Sequence, residues 1–561
     1  MGRTLSKNKE LVRIVPLGGV EEIGINCTVY ETKDDLILVD LGLGFSEFDY
    51  YGIDYVVPDL SYVIRKVDKL RGIIFTHGHL DHIGGLQYFL EKLNFPKVYG
   101  SEFTLELIKV KLEDEHLLGP MLEKFTVVDE NSSLVLGDFK VEFFRVNHSI
   151  PQSLGLYIRT DSTSIVHTGD FKFDNSPVNE PVGDYAKLAK IGEEGVDILL
   201  SDSTNSLKKG HPISESDVAR GIEDVVERAR GRVIIATFAG LVGRLYQIFE
   251  TARKYHRKVA VAGYSMYQTL GIAQKIGYIK IQSDMIISIQ DVKKYSPSKI
   301  LVLTTGAQGE PEAGLSKMAF SDYKGFSISK NDTVIISAKT IAGNDRSVQL
   351  MIDKLMSLGA IVKQSEDLDL YTSGHGYQED QKIMINLVKP KYFMPIHGYQ
   401  YFLRAHGETA KSVGIPEGKI IIAKKGSVVE GNRYKGFRIS KVFNCEPLMV
   451  SGSGVGDVLA PVLKEREQLA SYGVVVVDLV INKERELLKD PFVFSKGFVF
   501  VKNNTSIIDT AQQIVQKTFI EKAKTIKDIN ELREVISQEL AKYLYQETER
   551  EPVIITIINF I

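Results

Sequence analysis

Tryptophan is missing from this chain and cysteine nearly so. With only Cys27 and Cys445 in 561 residues, no disulfide framework can hold the fold and no thiolate zinc knuckle can form. A reducing, cytoplasmic setting is expected. No apolar run approaches the roughly 18 residues of a membrane span. The apolar stretch after the Arg- and Lys-bearing first 13 residues is too short for a signal peptide, so no membrane association is expected. An excess of one charge sign is lacking too. A formal net charge of −3 with 25% charged residues excludes a generally basic nucleic-acid coat and confines any polyanion site to a local patch. Repeats and low-complexity tracts are absent, and the missing Trp beside abundant Ile and Lys reads as genome composition. The length provides for three or four domain-sized units with sizeable cores.

What the chain does have is histidine in concentrated form. Thr76-His77-Gly78-His79-Leu80-Asp81-His82 follows directly on the apolar run Gly72-Ile73-Ile74-Phe75. His77 and His79 alternate, so on extended backbone both point to one side, while Asp81 and His82 at the turn are free to aim at a neighbouring point. Borderline nitrogen ligands beside a hard carboxylate suit Zn²⁺ or a Mn²⁺-like ion, and suggest two adjacent metals rather than one. Further ligand-type residues close later strand-like runs: His148 in Asn147-His148-Ser149, Asp170 in Thr168-Gly169-Asp170-Phe171, and His397 in Pro395-Ile396-His397-Gly398. Of the 11 histidines, His77, His79, His82, His148 and His397 all belong to these loops. Taken singly each has an ordinary structural reading; jointly they point to a site.

Coarse patterning divides the chain. Over the first two hundred residues, short strand-like runs (11–17, 26–31, 35–40, 71–76) alternate with turns at Gly18-Gly19 and Gly42. A helix is expected over 85–93, directly after the histidine cluster, and a hairpin over 132–146 turning at Leu136-Gly137-Asp138-Phe139. From 206 to about 364 the texture is helix then strand, repeated: amphipathic 213–229 before the apolar run 232–236, helix 244–255 before strand 258–262, then strands 299–304 and 333–337 and helix 347–358. Alternation of this kind predicts a mainly parallel α/β sheet. The histidine-bearing loops return after Leu370, so the second unit reads as inserted into the first. Beyond Met449 the stretch Ser451-Gly452-Ser453-Gly454 connects to a smaller α+β unit with strands at 473–482, 497–502 and 552–558 and helices at 506–519 and 529–546.

The order of these motifs resembles the metallo-β-lactamase superfamily and, within it, the β-CASP nucleases of the ribonuclease J family. The likeness covers essentially the whole chain. It includes Leu17-Gly18-Gly19-Val20-Glu21-Glu22-Ile23-Gly24, Leu38-Val39-Asp40-Leu41-Gly42 and Thr305-Gly306-Ala307-Gln308-Gly309-Glu310-Pro311. The resemblance implies an α/β protein: an αββα metallo-β-lactamase sandwich (1–205 and 365–448), an inserted α/β β-CASP domain (206–364) and a linker with a small α+β C-terminal domain (449–561). It implies two Zn²⁺ per subunit, with Mn²⁺ or Mg²⁺ in place or in addition. His77, His79 and His148 are expected at one metal, Asp81, His82 and His397 at the other, Asp170 between them, and Asp40 orienting the cluster from behind. Asp202 in Leu200-Ser201-Asp202-Ser203-Thr204-Asn205 and His375 in Thr372-Ser373-Gly374-His375-Gly376 match further β-CASP motifs.

The chemistry that follows is metal-assisted hydrolysis of RNA phosphodiesters, exo- or endonucleolytic, in RNA decay and maturation, with Asp81, His375 and Asp202 as catalytic residues. His375, held by Asp202, is the candidate proton donor, because imidazole exchanges a proton near neutrality. Packing under a Gly-rich loop is the plainer role for His375, and a helix cap the plainer role for Asp202. Ser373, Gly374, His375 and Gly376 are expected to offer donors to phosphate oxygens, together with Arg244. Family members build part of a 5′-monophosphate pocket from a Phe-Ala-Ser-Asn-Val-His-Arg stretch; this chain has Phe238-Ala239-Gly240-Leu241-Val242-Gly243-Arg244, so only Arg244 survives of the polar set. Weakened 5′-end sensing is the expectation. Gln152 and Tyr377 also depart from the family pattern, which bears on the shape of the substrate pocket and not on the ligands. Lys419, Lys424, Lys425, Arg433, Lys435, Arg438 and Lys441, with Tyr434 and Phe437, form either a polyanion-binding surface or a solvated strand face. The resemblance further implies a homodimer or homotetramer built through the C-terminal unit, and association with other RNA-decay proteins. Two alternatives compete: a catalytically weak RNA-binding or assembly subunit, and a small-molecule metallo-hydrolase on the same fold.

Overall fold

The computed structural model describes residues 10–45, 52–341, 343–365, 368–452, 454–498 and 505–561. The described residues form two compact units, one within 10–44 and 57–447 and the other within 45–56 and 448–561.

The inner strands of the larger unit are apolar and buried on both faces, which is why they read as near-continuous hydrophobic runs. One sheet has eight strands in the order Gly436–Val442, Ser427–Asn432, Val12–Gly18, Cys27–Glu31, Leu36–Val39, Leu70–Ile74, Val98–Gly100 and Phe125–Val127. A second has six, in the order Tyr392–Ile396, Ile198–Asp202, Ser164–His167, Leu154–Arg159, Phe139–Arg145 and Ser133–Leu136. Val12, Ile14, Val39 and Ile74 of the first meet Phe143, Leu156, Ile158, Leu200 and Met394 of the second in one buried core. Each such side chain contributes about 1.5–3 kcal/mol by leaving water. On the outer side of the six-stranded sheet, Leu188, Ile191, Met384, Ile385, Val388 and Ala410 bring helices Tyr185–Glu194, Gln378–Val388 and Gln400–Ser412 against Phe144, Tyr157, Leu199 and Phe393. This is the expected helix-covered sandwich.

The third sheet is parallel throughout, in the order Ile286–Ile287, Lys258–Ala262, Ile300–Thr304, Val233–Ala236, Thr333–Ile336 and Ile361–Lys363. Its two faces carry separate cores, one against helices Glu215–Arg228, Val242–Lys254 and Tyr264–Lys275, the other against Gly314–Ala319 and Asp345–Ser357. Helix Glu215–Arg228 starts in a capping box of Ser214 and Asp217. Asp174 fastens that start to the sandwich by accepting from Ser214 Oγ at 2.6 Å and Glu215 N at 2.9 Å.

The smaller unit pairs strands Phe492–Lys496, Val474–Ile481 and Val553–Phe560, with helices Thr505–Lys522 and Ile529–Thr548 covering one face. Among the described residues no helix is long and apolar enough to cross a membrane.

Several local expectations are corrected. The helix after the histidine cluster does not span 85–93: a single turn, Leu80–Ile83, forms inside the motif, and a 3₁₀ turn covers Leu86–Tyr88. Gly84 and Gly85 bend the chain tightly back onto the loop after Leu36–Val39, where Gly85 N–H donates to Leu41 O at 2.9 Å, and this close approach ends the helix. Strand Phe492–Lys496 was not expected and is closed by Gly497 at φ 72°; the strand expected at 497–502 falls largely on residues 499–504, which lie outside the described ones. The connector at 451–454 carries the ends of two short paired strands, Leu448–Ser451 and Gly454–Val455, Ser453 itself lying outside the described residues. Helix Glu102–Asp114, which walls the site described next, has too weak a periodicity to be read in advance.

Candidate active site

Three neighbouring parallel strands, Ser164–His167, Ile198–Asp202 and Tyr392–Ile396, run in register with His167 beside Leu200 and Asp202 beside Ile396. Their carboxyl ends therefore bring Asp170, Asp202 and His397 to one edge of the sheet. Leu70–Ile74 of the opposing sheet ends before His77, and Phe139–Arg145 before His148. All the ligand-type residues read from the sequence converge there.

Among the described residues three overlapping groups share Asp170: the expected ligands make up two of them, His77, His79, His148 and Asp170, and Asp81, His82, Asp170 and His397, and the third joins Asp170 and His397 to Asp202 and His375. In the first, His79 Nδ1 lies 3.1 Å from both His77 Nε2 and His148 Nε2, and Asp170 Oδ2 lies 3.6 Å from each of the latter. In the second, His82 Nε2 is 3.2 Å from Asp170 Oδ2 and 3.5 Å from Asp81 Oδ2, and His397 Nε2 is 3.4 Å from Asp81 Oδ2. Ligands about 2.0–2.2 Å from a tetrahedral zinc stand roughly 3.3–3.6 Å from one another, so the spacing and the N/O chemistry fit divalent cations.

The surroundings fix which nitrogen faces inward. His148 Nδ1–H donates to Gly374 O at 2.7 Å, and His82 Nδ1–H to Asp40 Oδ2 at 2.7 Å, leaving Nε2 of each toward the cluster. Asp40 also accepts from Thr76 N at 2.8 Å and Thr76 Oγ1 at 2.9 Å, and its own backbone is left-handed at φ 60°. Gly374 is required at its position: a Cβ there would stand 2.7 Å from the His148 ring. Burial pushes the His77 and His148 imidazoles below their ordinary range and His79 down to about 4, so these three favour the neutral, ligating form. Burial opposes charge on His82 and His397 as well, but Asp170 and Asp81 outweigh it and hold His82 high and His397 at about 10. Asp81 and Asp170 are in turn held below the usual carboxylate range by His82 and His397 against the burial that would raise them.

On the open side, His375 Nδ1–H donates to Asp202 Oδ2 at 2.8 Å. Burial would lower this imidazole, yet Asp202 and Asp170 outweigh it and raise it above its ordinary value. Asp202 also accepts from Thr204 N and Oγ1, so the turn-capping role and the histidine-holding role belong to the same carboxylate. Asn205 was not singled out in advance, although it closes the same motif. Its Nδ2 donates to Ser373 Oγ at 2.7 Å and to His375 O at 3.1 Å, fixing the loop that carries the histidine.

A cleft of about 680 Å³ opens from this cluster between helices Glu102–Asp114 and Tyr264–Lys275. His79, Asp81, Gly374 and His375 line its floor, and Leu107, Val110, Phe238, Leu241, Ile272 and Ile341 make much of its wall. Lys111 is the sole Lys or Arg among the lining residues. Within the 373–376 loop, His375 N–H donates to Ser373 Oγ and Gly376 N–H to Phe171 O, while Gly374 and His375 line the cleft. Arg244 does not reach the cleft at all: it is 1% exposed, donates to Glu215 at 3.0 Å and Ser337 Oγ at 3.0 Å, and lies over the Tyr371 ring. Glu215 satisfies its charge inside the protein.

Fold and site together define a metal-binding hydrolase of the metallo-β-lactamase superfamily with a β-CASP insertion. Comparison with known proteins gives the family: the metallo-beta-lactamase superfamily matches residues 20–209, the Ribonuclease J beta-CASP domain 230–355, the Zn-dependent metallo-hydrolase RNA specificity domain 369–420 and the Ribonuclease J C-terminal domain 461–561. The chain is 39% identical over 555 residues to Ribonuclease J2 of Bacillus subtilis, covering 98% of this chain and 99% of that one. Ribonuclease J 1 of Streptococcus pyogenes is 37% identical, covering 98% and 97%, and Ribonuclease J of Helicobacter pylori 37%, covering 98% and 79%. The chain belongs to the ribonuclease J family. A protein of unknown function from Enterococcus faecalis shares the fold over 75% of this chain and all of its own, at a TM-score of 0.52 and 16% identity.

Proposed function

We propose that the chain hydrolyses RNA phosphodiester bonds with two divalent cations, Zn²⁺ by the character of the donor set, held by His77, His79, His148 and Asp170 and by Asp81, His82, His397 and Asp170. Family membership makes it a metal-dependent ribonuclease. The observation that carries the finer reading is the convergence of two ligand sets on one shared carboxylate, Asp170, beside a histidine backed by Asp202. Cations bound there supply a more acidic water and charge compensation at the scissile phosphate.

The chain's own residues do the rest. Asp40 and Gly374 keep the proton on Nδ1 of His82 and His148, so their Nε2 atoms face the cluster. His375 keeps Nδ1–H on Asp202, which leaves Nε2 to pass a proton to the departing ribose oxygen as the P–O bond breaks. The apolar walls of the cleft suit unpaired bases, and Lys111 a backbone phosphate. With Arg244 paired to Glu215 and glycine at 240 and 243, no clamp for a 5′-monophosphate is built from residues 238–244, so cleavage is indifferent to the 5′ end.

Domain limits of 1–205 with 365–448, 206–364 and 449–561 follow the motifs. Self-association through the C-terminal unit draws on an uncovered sheet face bearing Phe492, Phe494, Ile555 and Ile557. Lys424, Lys435, Arg438 and Lys441 are exposed, the last two on edge strand Gly436–Val442, and suit the RNA backbone. Two buried free cysteines fit a reducing cytoplasm.

The test compares one internally labelled RNA carrying a 5′-monophosphate, a 5′-hydroxyl or no end at all as a circle, with His375→Ala excluding contaminating nuclease. Comparable cleavage of the three is expected. Mononucleotide release from the monophosphate form alone would contradict end-indifference, and no cleavage of any form would contradict the ribonuclease assignment.

A further inference from the structure

Asn26 precedes strand Cys27–Glu31 and took no part in the ligand assignment, yet it stands within the second set. Its Nδ2 lies 3.0 Å from His82 Nε2, 3.2 Å from His397 Nε2 and 3.4 Å from Asp81 Oδ2. These are the distances the ligand atoms keep from one another, so the carboxamide occupies a further corner of the same polyhedron. An –NH₂ carries no lone pair for a cation. What it can do there is donate, and Asp81 offers the acceptors: its carbonyl at 3.3 Å and its Oδ2 at 3.4 Å.

Asp81 is the ligand that needs such a donor. His82 is anchored through Nδ1–H on Asp40 and His397 through Nδ1–H on Asp170 at 2.8 Å, and each imidazole is only 2% exposed. Asp81 sits on a single helical turn at the cleft floor with its side chain 32% exposed, and among the described residues its hydrogen-bond donor besides the ligand imidazoles is Asn26. Asn26 itself is rigidly set. Its backbone N–H donates to Asp81 O at 2.9 Å, its carbonyl accepts from Gly42 N at 2.9 Å, and the residue is 8% exposed.

We propose that Asn26 is the positioning residue of the second cation: it holds the Asp81 carboxylate inward and thereby sets the affinity of the Asp81–His82–His397 set, leaving the first set untouched. The proposal rests on the two-cation reading above. Without the carboxamide, Asp81 is free to swing into the cleft, and each visit there removes one anionic ligand.

Protein stripped with a chelator is titrated with Zn²⁺ against a chromophoric competitor, with bound zinc counted by elemental analysis. Wild type is expected to take up two Zn²⁺ per chain. Asn26→Ala is expected to keep the first event and weaken the second by about 10–100-fold, the usual effect of losing an orienting partner. Asn26→Leu keeps the approximate volume with neither a donor nor a new ligand and is expected to weaken the second event too, which covers the case in which the alanine variant does not fold. A second event unchanged in Asn26→Ala, equal loss of both events, or wild-type affinity in Asn26→Leu overturns the proposal. Uptake of a single Zn²⁺ by wild type removes the two-cation reading itself, and the proposal with it.

Discussion

At the scale of single residues, the polar side chains divide into those that face the cleft and those that hold them. His375 faces the cleft, and Asp202 holds it. His375→Ala is expected to lower kcat by about 10²–10⁴-fold, the usual worth of a general acid, with zinc content unchanged. Loss of zinc in that variant would make it a ligand instead. Arg244 belongs to neither group. Its guanidinium is paired with Glu215 in the interior, where Lys172 also stands 3.6 Å from the same carboxylate. Breaking a buried pair from one side costs about 3–5 kcal/mol. Arg244→Ala is therefore expected to show as a lowered denaturant midpoint, with its 5′-end preference equal to that of wild type. The contrast also shows what the sequence could carry. The proposed ligands His77, His79, Asp81, His82, His148, Asp170 and His397 could be read from the sequence because each follows an apolar run that had to be a buried strand. The sequestering of Arg244 was not, because Glu215 and Ser337 are brought to it only by the packing of helix Glu215–Arg228 and strand Thr333–Ile336. Asn26 and Asn205 went unread for the same reason: a carboxamide has no pattern of its own, and its meaning comes from the loops that close on it.

At the scale of elements, strands were legible and short helices were not. Strand-length apolar runs announce themselves, whereas the one-turn helix Leu80–Ile83 is dictated by Gly84 and Gly85 closing on a loop forty residues earlier. Helix Gln400–Ser412, which follows the His397 loop, carries a consequence for pH. His406 on this helix is fully buried against Phe393 and hydrogen-bonded through Nδ1 to Ser203 Oγ at 3.0 Å, and burial lowers its pKa to about 3. The unfolded chain protonates this imidazole near 6.5 and the folded one only near 3, so its contribution to stability is fully present above about pH 6.5 and is lost as pH falls toward 3. Between pH 7.5 and 5 the loss is about 2 kcal/mol. His406→Gln is expected to flatten the acid side of the stability profile by that amount, measured by urea unfolding across the range; an unchanged slope would show that other groups carry it.

At the scale of the whole molecule, the sheet of the C-terminal unit exposes Phe492, Phe494, Ile555 and Ile557 among the described residues. Val476 pairs with Phe494 on one side and Ile555 on the other, and Asp478 with Phe492 and Ile557, so these residues share one face opposite the helices. Phe494→Glu with Ile555→Glu is expected to reduce the oligomer to monomer in light scattering while leaving cleavage of a short RNA unaltered. A wild type already monomeric at micromolar concentration would contradict this. One measurement bears most directly on the shared carboxylate, Asp170. Chelator-stripped protein is reloaded with Zn²⁺ in counted equivalents and assayed on labelled RNA at each step, with Asp170→Asn beside it. RNA hydrolysis is expected to rise with the second equivalent per chain, and Asp170→Asn to lose zinc from both sets and activity with it. Full hydrolysis by the stripped protein, or by Asp170→Asn, would contradict the account.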